Sequence, residues 1–176
     1  IGPFTVHGYG LMIAIGVLSA YYMVEYRAKK KQMDWEKVFP LTVWSVLGGF
    51  LGSKILYLLT RLPDILANPA LLGSSIKDGF VVYGGIIGGI LTAWIYCKCT
   101  KWNFWKIFDI AMPAVAMAQG FGRIGCLLAG CCYGIELDPA NPIGIVFHNS
   151  AYAPNDVALL PTQIISSVLD FANCFV

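Results

Sequence analysis

Charge is what this sequence has least of. Asp, Glu, Lys and Arg make up only 12% of its 176 residues, where a soluble domain carries about a quarter. With 57% hydrophobic residues and a mean hydropathy of +0.67, the chain reads as a membrane protein. Its net charge of +2 is too small and too scattered for a nucleic-acid partner. No basic stretch precedes the first apolar run, so no cleavable leader is expected. Histidine is nearly absent: His7 and His148 are far apart. Structural zinc usually takes two separated C-x2-4-C pairs, or one with a histidine pair. The six cysteines (Cys97, Cys99, Cys126, Cys131, Cys132 and Cys174) offer neither arrangement, so no metal and no cofactor are expected. No clear internal repeat is visible. Ile1 is not an initiator methionine, and "DFANCFV" stops inside an apolar run. Residues 1–176 therefore read as one integral-membrane domain cut at both ends.

What is present is organised in long apolar segments. A bilayer span needs roughly 20 such residues, and five stretches qualify: His7 to Tyr26, Val38 to Leu59, Phe80 to Cys97, Ile107 to Leu128, and Leu160 onward. The expected fold class is all-α, a polytopic transmembrane helix bundle. Arg27 to Lys37 ("RAKKKQMDWEK") holds five basic residues and Lys98 to Lys106 holds three. Gly130 to Leu159 holds none, but carries Glu136, Asp138 and Asp156. Basic linkers stay cytoplasmic. The N-terminus and the loops at Thr60 to Gly79 and Gly130 to Leu159 are thus expected outside.

The polar residues inside these spans gather at one depth. Arg123 lies 17 positions after Lys106, roughly 25 Å at helical rise. Lys54 lies 17 positions after Lys37 on another outward-running helix. Tyr9, Tyr83 and Gln163 sit within a turn of the outer ends of inward-running helices. Tyrosines at an interface are commonly belt anchors, and a lysine there can snorkel. "YGGIIGG" (Tyr83 to Gly89) reads first as small-residue helix packing. Arg123 is different, because Gly120, Gly122 and Gly125 leave room for close approach to it. An intramembrane charge marks a functional site, and a planar guanidinium suits phosphate oxygens. Asp109 is about 20 Å along the same helix and too distant to pair with it. From the residues alone, the reading is a phospholipid-headgroup site facing the outer leaflet.

Four motifs in order resemble those of bacterial prolipoprotein diacylglyceryl transferases. "GRIGCLLAGCCYG" (Gly122 to Gly134) is similar to that family's G-R-[IL]-G-N-[FL]-x-N-G-E. "VHGYGLM" (Val6 to Met12) is similar to its H-x-Y-G-L-M, "YGGIIGG" to H-G-G-[LM]-I-G-G, and "LPTQI" (Leu160 to Ile164) to H-P-[ST]-Q-L. The family has seven spans and a periplasmic N-terminus, so this chain would hold about five. The resemblance implies transfer of a diacylglyceryl group from phosphatidylglycerol to the lipobox cysteine of a prolipoprotein, in the bacterial cytoplasmic membrane. That reaction forms a thioether, releases glycerol phosphate and needs no cofactor. Arg123 would clamp the departing phosphate, and Tyr83 would be the second catalytic group. His7, Tyr9, Lys54, Gly84, Gly85, Gln119, Cys126, Gly134 and Gln163 would contact or shape the lipid and peptide site.

The chain also departs from that pattern. Tyr83 and Leu160 stand where the family has histidine, Cys126 replaces its asparagine and Cys131 its acidic residue. A phenol with a pKa near 10 is a poor base at neutral pH unless a cation lowers it. A paralogous transferase using a phospholipid donor and another acceptor is therefore the alternative. Small apolar packing is the first reading for Cys126, and a structural disulfide the second reading for Cys131 or Cys132. A membrane thiol-redox protein would want a C-x-x-C beside a quinone pocket. A transporter would want repeated halves around broken helices. Neither signature is present.

Overall fold

In lipid, an apolar segment must satisfy its own backbone, and a helix is the simplest way to do so. A computed structural model describes residues 8–68 and 79–174. Its helices are α1 (Gly8–Lys30), α2 (Val38–Thr60), the short α3 (Leu62–Ala67), α4 (Val82–Cys99), α5 (Phe104–Ala129) and α6 (Thr162–Cys174). A single 3-10 turn, Trp35–Lys37, leads into α2. Pro113 is carried inside α5 without ending it.

Four of these elements are long and apolar enough to cross a membrane: Gly8–Lys30, Trp35–Thr60, Val82–Cys99 and Phe104–Ala129. They match the first four expected spans, and the chain is a multi-pass, all-α membrane protein. The fifth expected span appears as α6, with 13 described residues. That is about 20 Å of helix, short of a hydrocarbon core of about 30 Å. Most large side chains are exposed, among them Phe50, Leu51, Ile55, Ile87 and Leu91. An apolar surface of this extent is stable only with lipid as its solvent.

The chain divides into two compact units, residues 28–108 and residues 1–27 with 109–176. In the unit 28–108, α2 and α4 pack antiparallel through glycine. A Cβ on Gly52, Gly84 or Gly88 would collide with a backbone carbonyl of the facing helix, and one on Gly48 with the Thr92 side chain. Such contacts let backbones touch where no hydrophobic force drives association. Leu41, Cys97 and Ile107 form a small core, with Met33, Tyr96 and Trp102 packed against it.

In the other unit, α1 lies antiparallel on α5. Gly8 faces Leu128, Gly16 faces Ala118 and Phe121, and Gly125 faces Tyr9 and Met12. The α6 helix is amphipathic in the inverted sense. Gln163, Ser167 and Cys174 are buried, while Ile164, Ile165, Val168 and Leu169 face out. Residues at i, i+4, i+7 and i+11 share one helix face, which here carries Gln163, Ser167, Asp170 and Cys174. Ser167 Oγ donates to the Gly120 carbonyl of α5 at 3.0 Å. Between α5 and α6 the chain forms a two-stranded antiparallel ribbon, β1 (Ile145–Val146) and β2 (Ala158–Leu159). Its short strands were not expected from the sequence.

Candidate functional site

Arg123 sits in the C-terminal part of α5, half-buried, and has no hydrogen bond or ion pair among the described residues. A charge in a membrane helix normally finds a partner or marks a ligand path. The three glycines around it are not equivalent. A Cβ at Gly120 would meet the Phe171 ring at 2.8 Å, and one at Gly125 would meet Tyr9 Cδ2 at 3.0 Å. Nothing lies within 4 Å of the Cβ position at Gly122. Two glycines therefore serve helix contacts, and the third faces open space among the described residues.

One turn further on, α5 ends in a cap that builds the neighbouring chemistry. Gly130 has φ +68, its N–H donates to the Leu127 carbonyl at 3.1 Å, and the Cys131 N–H donates to the Cys126 carbonyl at 3.0 Å. This pair of bonds is the Schellman arrangement, in which side chains at the bonded ends come into contact. Here those side chains are Cys126 and Cys131. Cys132 follows with φ +58, and the Sγ atoms of Cys126, Cys131 and Cys132 all lie within 4.8 Å of one another. All six cysteines are free thiols. Burial pushes the Cys131 thiol above its ordinary pKa, while a hydrogen bond with Cys126 pulls it the other way.

The start of α6 holds this loop in place. Thr162 Oγ1 donates to the Cys132 carbonyl at 2.8 Å, and Gln163 Nε2 donates to the Cys131 carbonyl at 2.8 Å. Gln163 is 0% exposed, and its Oε1 has no donor among the described residues. An unpaired buried acceptor costs about 1–3 kcal/mol, so this atom suits a ligand hydroxyl. Gln119 donates to Asp170 Oδ1 at 3.3 Å, and Asp170 Oδ2 is likewise buried without a donor among the described residues. Gly134 packs where a Cβ would meet the Leu160 carbonyl at 2.9 Å and Thr162 Cγ2 at 2.8 Å. Its role is to let the ribbon close on the start of α6.

One unit thus holds Tyr9, Gln119, Arg123, Cys126, Gly134 and Gln163 from the expected site. The unit 28–108 holds Lys54, Tyr83, Gly84 and Gly85. Tyr83 is the second residue of α4 and 74% exposed. Lys54 Nζ donates to the Gly79 carbonyl at 3.1 Å and lies 4.6 Å from the centroid of the Phe80 ring. Gly84 meets the backbone of Gly52, and a Cβ on Gly85 would lie 2.7 Å from Ser53 Oγ. The packing reading of "YGGIIGG" accounts for both glycines. His7 lies outside the described residues. Sequence reasoning missed Thr162, Asp170 and the gathering of Cys132 with the other two thiols. For the thiols a signal existed: a glycine flanked by cysteines at the two contact positions of a helix C-cap.

A model of the prolipoprotein diacylglyceryl transferase family matches residues 1–176. The chain is 45% identical over 171 residues to the phosphatidylglycerol–prolipoprotein diacylglyceryl transferase of Clostridium tetani (strain Massachusetts / E88), a match covering 97% of this chain and 67% of that one. It is 43% identical over 167 residues to phosphatidylglycerol–prolipoprotein diacylglyceryl transferase 2 of Clostridium perfringens (strain 13 / Type A), covering 95% and 64%. With the enzyme of that name from Enterobacter sp. (strain 638) it shares 36% over 166 residues, covering 93% and 56%. The chain spans about two thirds of the length of these relatives, or less. Matched along its whole length by the family and carrying the unpaired arginine within the motif that suggested it, the chain belongs to the prolipoprotein diacylglyceryl transferase family.

Proposed function

We propose that this protein transfers the diacylglyceryl group of phosphatidylglycerol to the lipobox cysteine of a prolipoprotein, at the outer leaflet of the bacterial cytoplasmic membrane. The observation that carries the reading is Arg123, a guanidinium in a membrane helix with no anionic partner among the described residues and open space at Gly122. The acceptor sulfur, as thiolate, attacks the glycerol carbon that bears the phosphate. A C–S bond forms, the C–O bond to phosphate breaks, and the electron pair leaves on the phosphate oxygen. The products are a diacylglyceryl thioether and glycerol phosphate.

Negative charge grows on the leaving phosphate in the transition state. Fixed donors aimed at developing charge are usually the largest catalytic contribution in such sites. Arg123 supplies that stabilisation with a fork that fits two phosphate oxygens. Gln163 Oε1 offers an acceptor to a headgroup hydroxyl, and Tyr9 lines the mouth of the site.

The test is a transfer assay with the full-length protein, phosphatidylglycerol vesicles and a lipobox peptide, followed by mass for the thioether. Arg123→Ala is expected to lower transfer about 100-fold or more, the scale for removing one such donor, with insertion unchanged. Normal transfer by that variant overturns the phosphate clamp.

A further inference from the structure

The three thiols at the end of α5 have no part in the transfer step above, and they are not placed as packing residues are. Cys97 and Cys174 are buried, whereas Cys132 is exposed and Cys126 and Cys131 are half-buried. The Sγ atoms of Cys126, Cys131 and Cys132 lie within 4.8 Å of one another, and all three are free thiols. The Gly130 turn makes Cys126 and Cys131 the contact pair of the helix cap, and contact between those two positions is a feature of such caps. Bonds from Thr162 and Gln163 to the Cys132 and Cys131 carbonyls hold the backbone. Sulfurs this close reach the bonding distance of about 2.05 Å by side-chain rotation. The set needs no C-x-x-C, because the cap brings together cysteines five positions apart.

We propose that Cys126, Cys131 and Cys132 form a thiol–disulfide exchange site that frees an acceptor cysteine blocked as a mixed disulfide with a small thiol. The substrate class rests on the transferase reading, though the exchange site itself does not. An acceptor sulfur attacks carbon only as a free thiolate. The loop after α5 is expected outside, where thiols are exposed to oxidation. Cys126 lies three residues beyond Arg123, so the two share a helix face with Cβ atoms about 5–6 Å apart. An acceptor thiolate released at the cluster thus emerges beside the guanidinium that is to hold the donor phosphate. Burial raises the Cys131 thiol pKa, which keeps it protonated while the exposed Cys132 meets the substrate first.

The exchange balances in thiols and disulfides alone. The Cys132 thiolate attacks the capping sulfur of the mixed disulfide. A new S–S bond forms to Cys132, and the old one breaks with its electron pair left on the acceptor sulfur. Cys131 cannot resolve the new disulfide, because adjacent cysteines close a strained ring. Cys126 therefore attacks Cys132 Sγ as thiolate and expels the small thiol. Cys131 then attacks Cys126 Sγ, returning Cys132 to thiolate and leaving a Cys126–Cys131 disulfide in the cap. Net, two protein thiols become a disulfide and the mixed disulfide becomes two thiols. A dithiol reductant opens the cap again by the same exchange chemistry.

The test uses the full-length protein in detergent, reduced and then freed of reductant, with a lipobox peptide whose cysteine is capped by glutathione. Release of one peptide thiol per chain is expected, read by mass after acid quenching, together with a Cys126–Cys131 disulfide in the peptide map. Cys126→Ser should stop with glutathione trapped on Cys132. Cys132→Ser should slow release about tenfold or more, the scale of losing the accessible thiolate, while a Cys97, Cys99 and Cys174 to serine triple variant keeps the wild-type rate. Melting curves in detergent verify that the variants are folded. With phosphatidylglycerol vesicles added, wild type should form the thioether from capped and uncapped peptide alike, and Cys132→Ser from the uncapped peptide alone. No release by wild type whose six thiols titrate as reduced overturns the exchange site, and thioether from the uncapped peptide then leaves the transferase reading standing. A disulfide mapped outside the cluster, or equal thioether yields from capped peptide in wild type and Cys132→Ser, also overturns it. Release with no thioether from either peptide upholds the exchange site and overturns the transferase reading.

Discussion

Arg123 and Tyr83 separate when each is asked what it touches. The guanidinium is half-buried with no partner among the described residues, so its geometry as well as its charge is available to a ligand. Arg123→Lys should therefore fall well short of wild-type turnover, because an ammonium keeps the charge but loses the two-pronged fit. A phosphatidylglycerol titration of transfer rate checks this, and equal rates would reduce the arginine to a point charge. Tyr83 is exposed at the start of α4, so Tyr83→Phe should leave folding untouched. The resemblance makes its phenol a catalytic group, which predicts a lowered kcat, and an unaltered rate would leave only the ring with a role. Burial raises the Cys131 thiol pKa, so less of it is thiolate at a given pH. Cys131 should alkylate more slowly than a free thiol at pH 8 and gain rate as pH rises, read by mass after timed labelling. The arginine was legible in the sequence because a charge stands out against apolar neighbours. The unpaired Oε1 of Gln163 was not, since the side chain is held by its Nε2 donating to the Cys131 carbonyl, 32 residues away in sequence.

Among the elements, the glycine-lined contact of α2 with α4 and the cap of α5 make opposite demands on substitution. Gly84→Ala and Gly88→Ala each push a methyl into a facing carbonyl, and overpacking of this kind costs about 1–3 kcal/mol. Gly122→Ala meets no atom within 4 Å and should keep its melting temperature in detergent while crowding the donor at Arg123. Comparing melting curves with transfer rates for these variants separates packing glycines from the one beside the site. The four long helices were readable because apolar length is a direct physical requirement of the bilayer. The α6 helix was only half readable. Its polar residues look like breaks in an apolar run until their spacing places Gln163, Ser167 and Asp170 on a single inward face. The β1–β2 ribbon was missed because two-residue strands carry too little alternation to register.

For the whole molecule, the distribution of basic residues makes the boldest claim, an N-terminus and a Gly130 to Leu159 loop on the outer side. In intact cells, a membrane-impermeant maleimide should label the exposed Cys132 and spare the exposed Cys99 until the membrane is opened. Labelling of Cys99 first would invert the orientation and remove the outer-leaflet donor from reach. That the chain is a membrane protein was foreseeable from its composition. The thiol cluster was less foreseeable, because its assembly depends on a left-handed glycine and on side chains from α6.

The inverted face of α6 also bears on how the protein is made. A nascent segment is retained in the bilayer by its own hydrophobicity, and a central aspartate opposes this by about 2.5–3.5 kcal/mol. Asp170, with Gln163 and Ser167 beside it, gives α6 a poor claim to lipid while it is alone. Its partners Gln119 and Gly120 lie on α5, which leaves the ribosome earlier. On this reasoning α6 is expected to enter the membrane by docking onto a helix already in place.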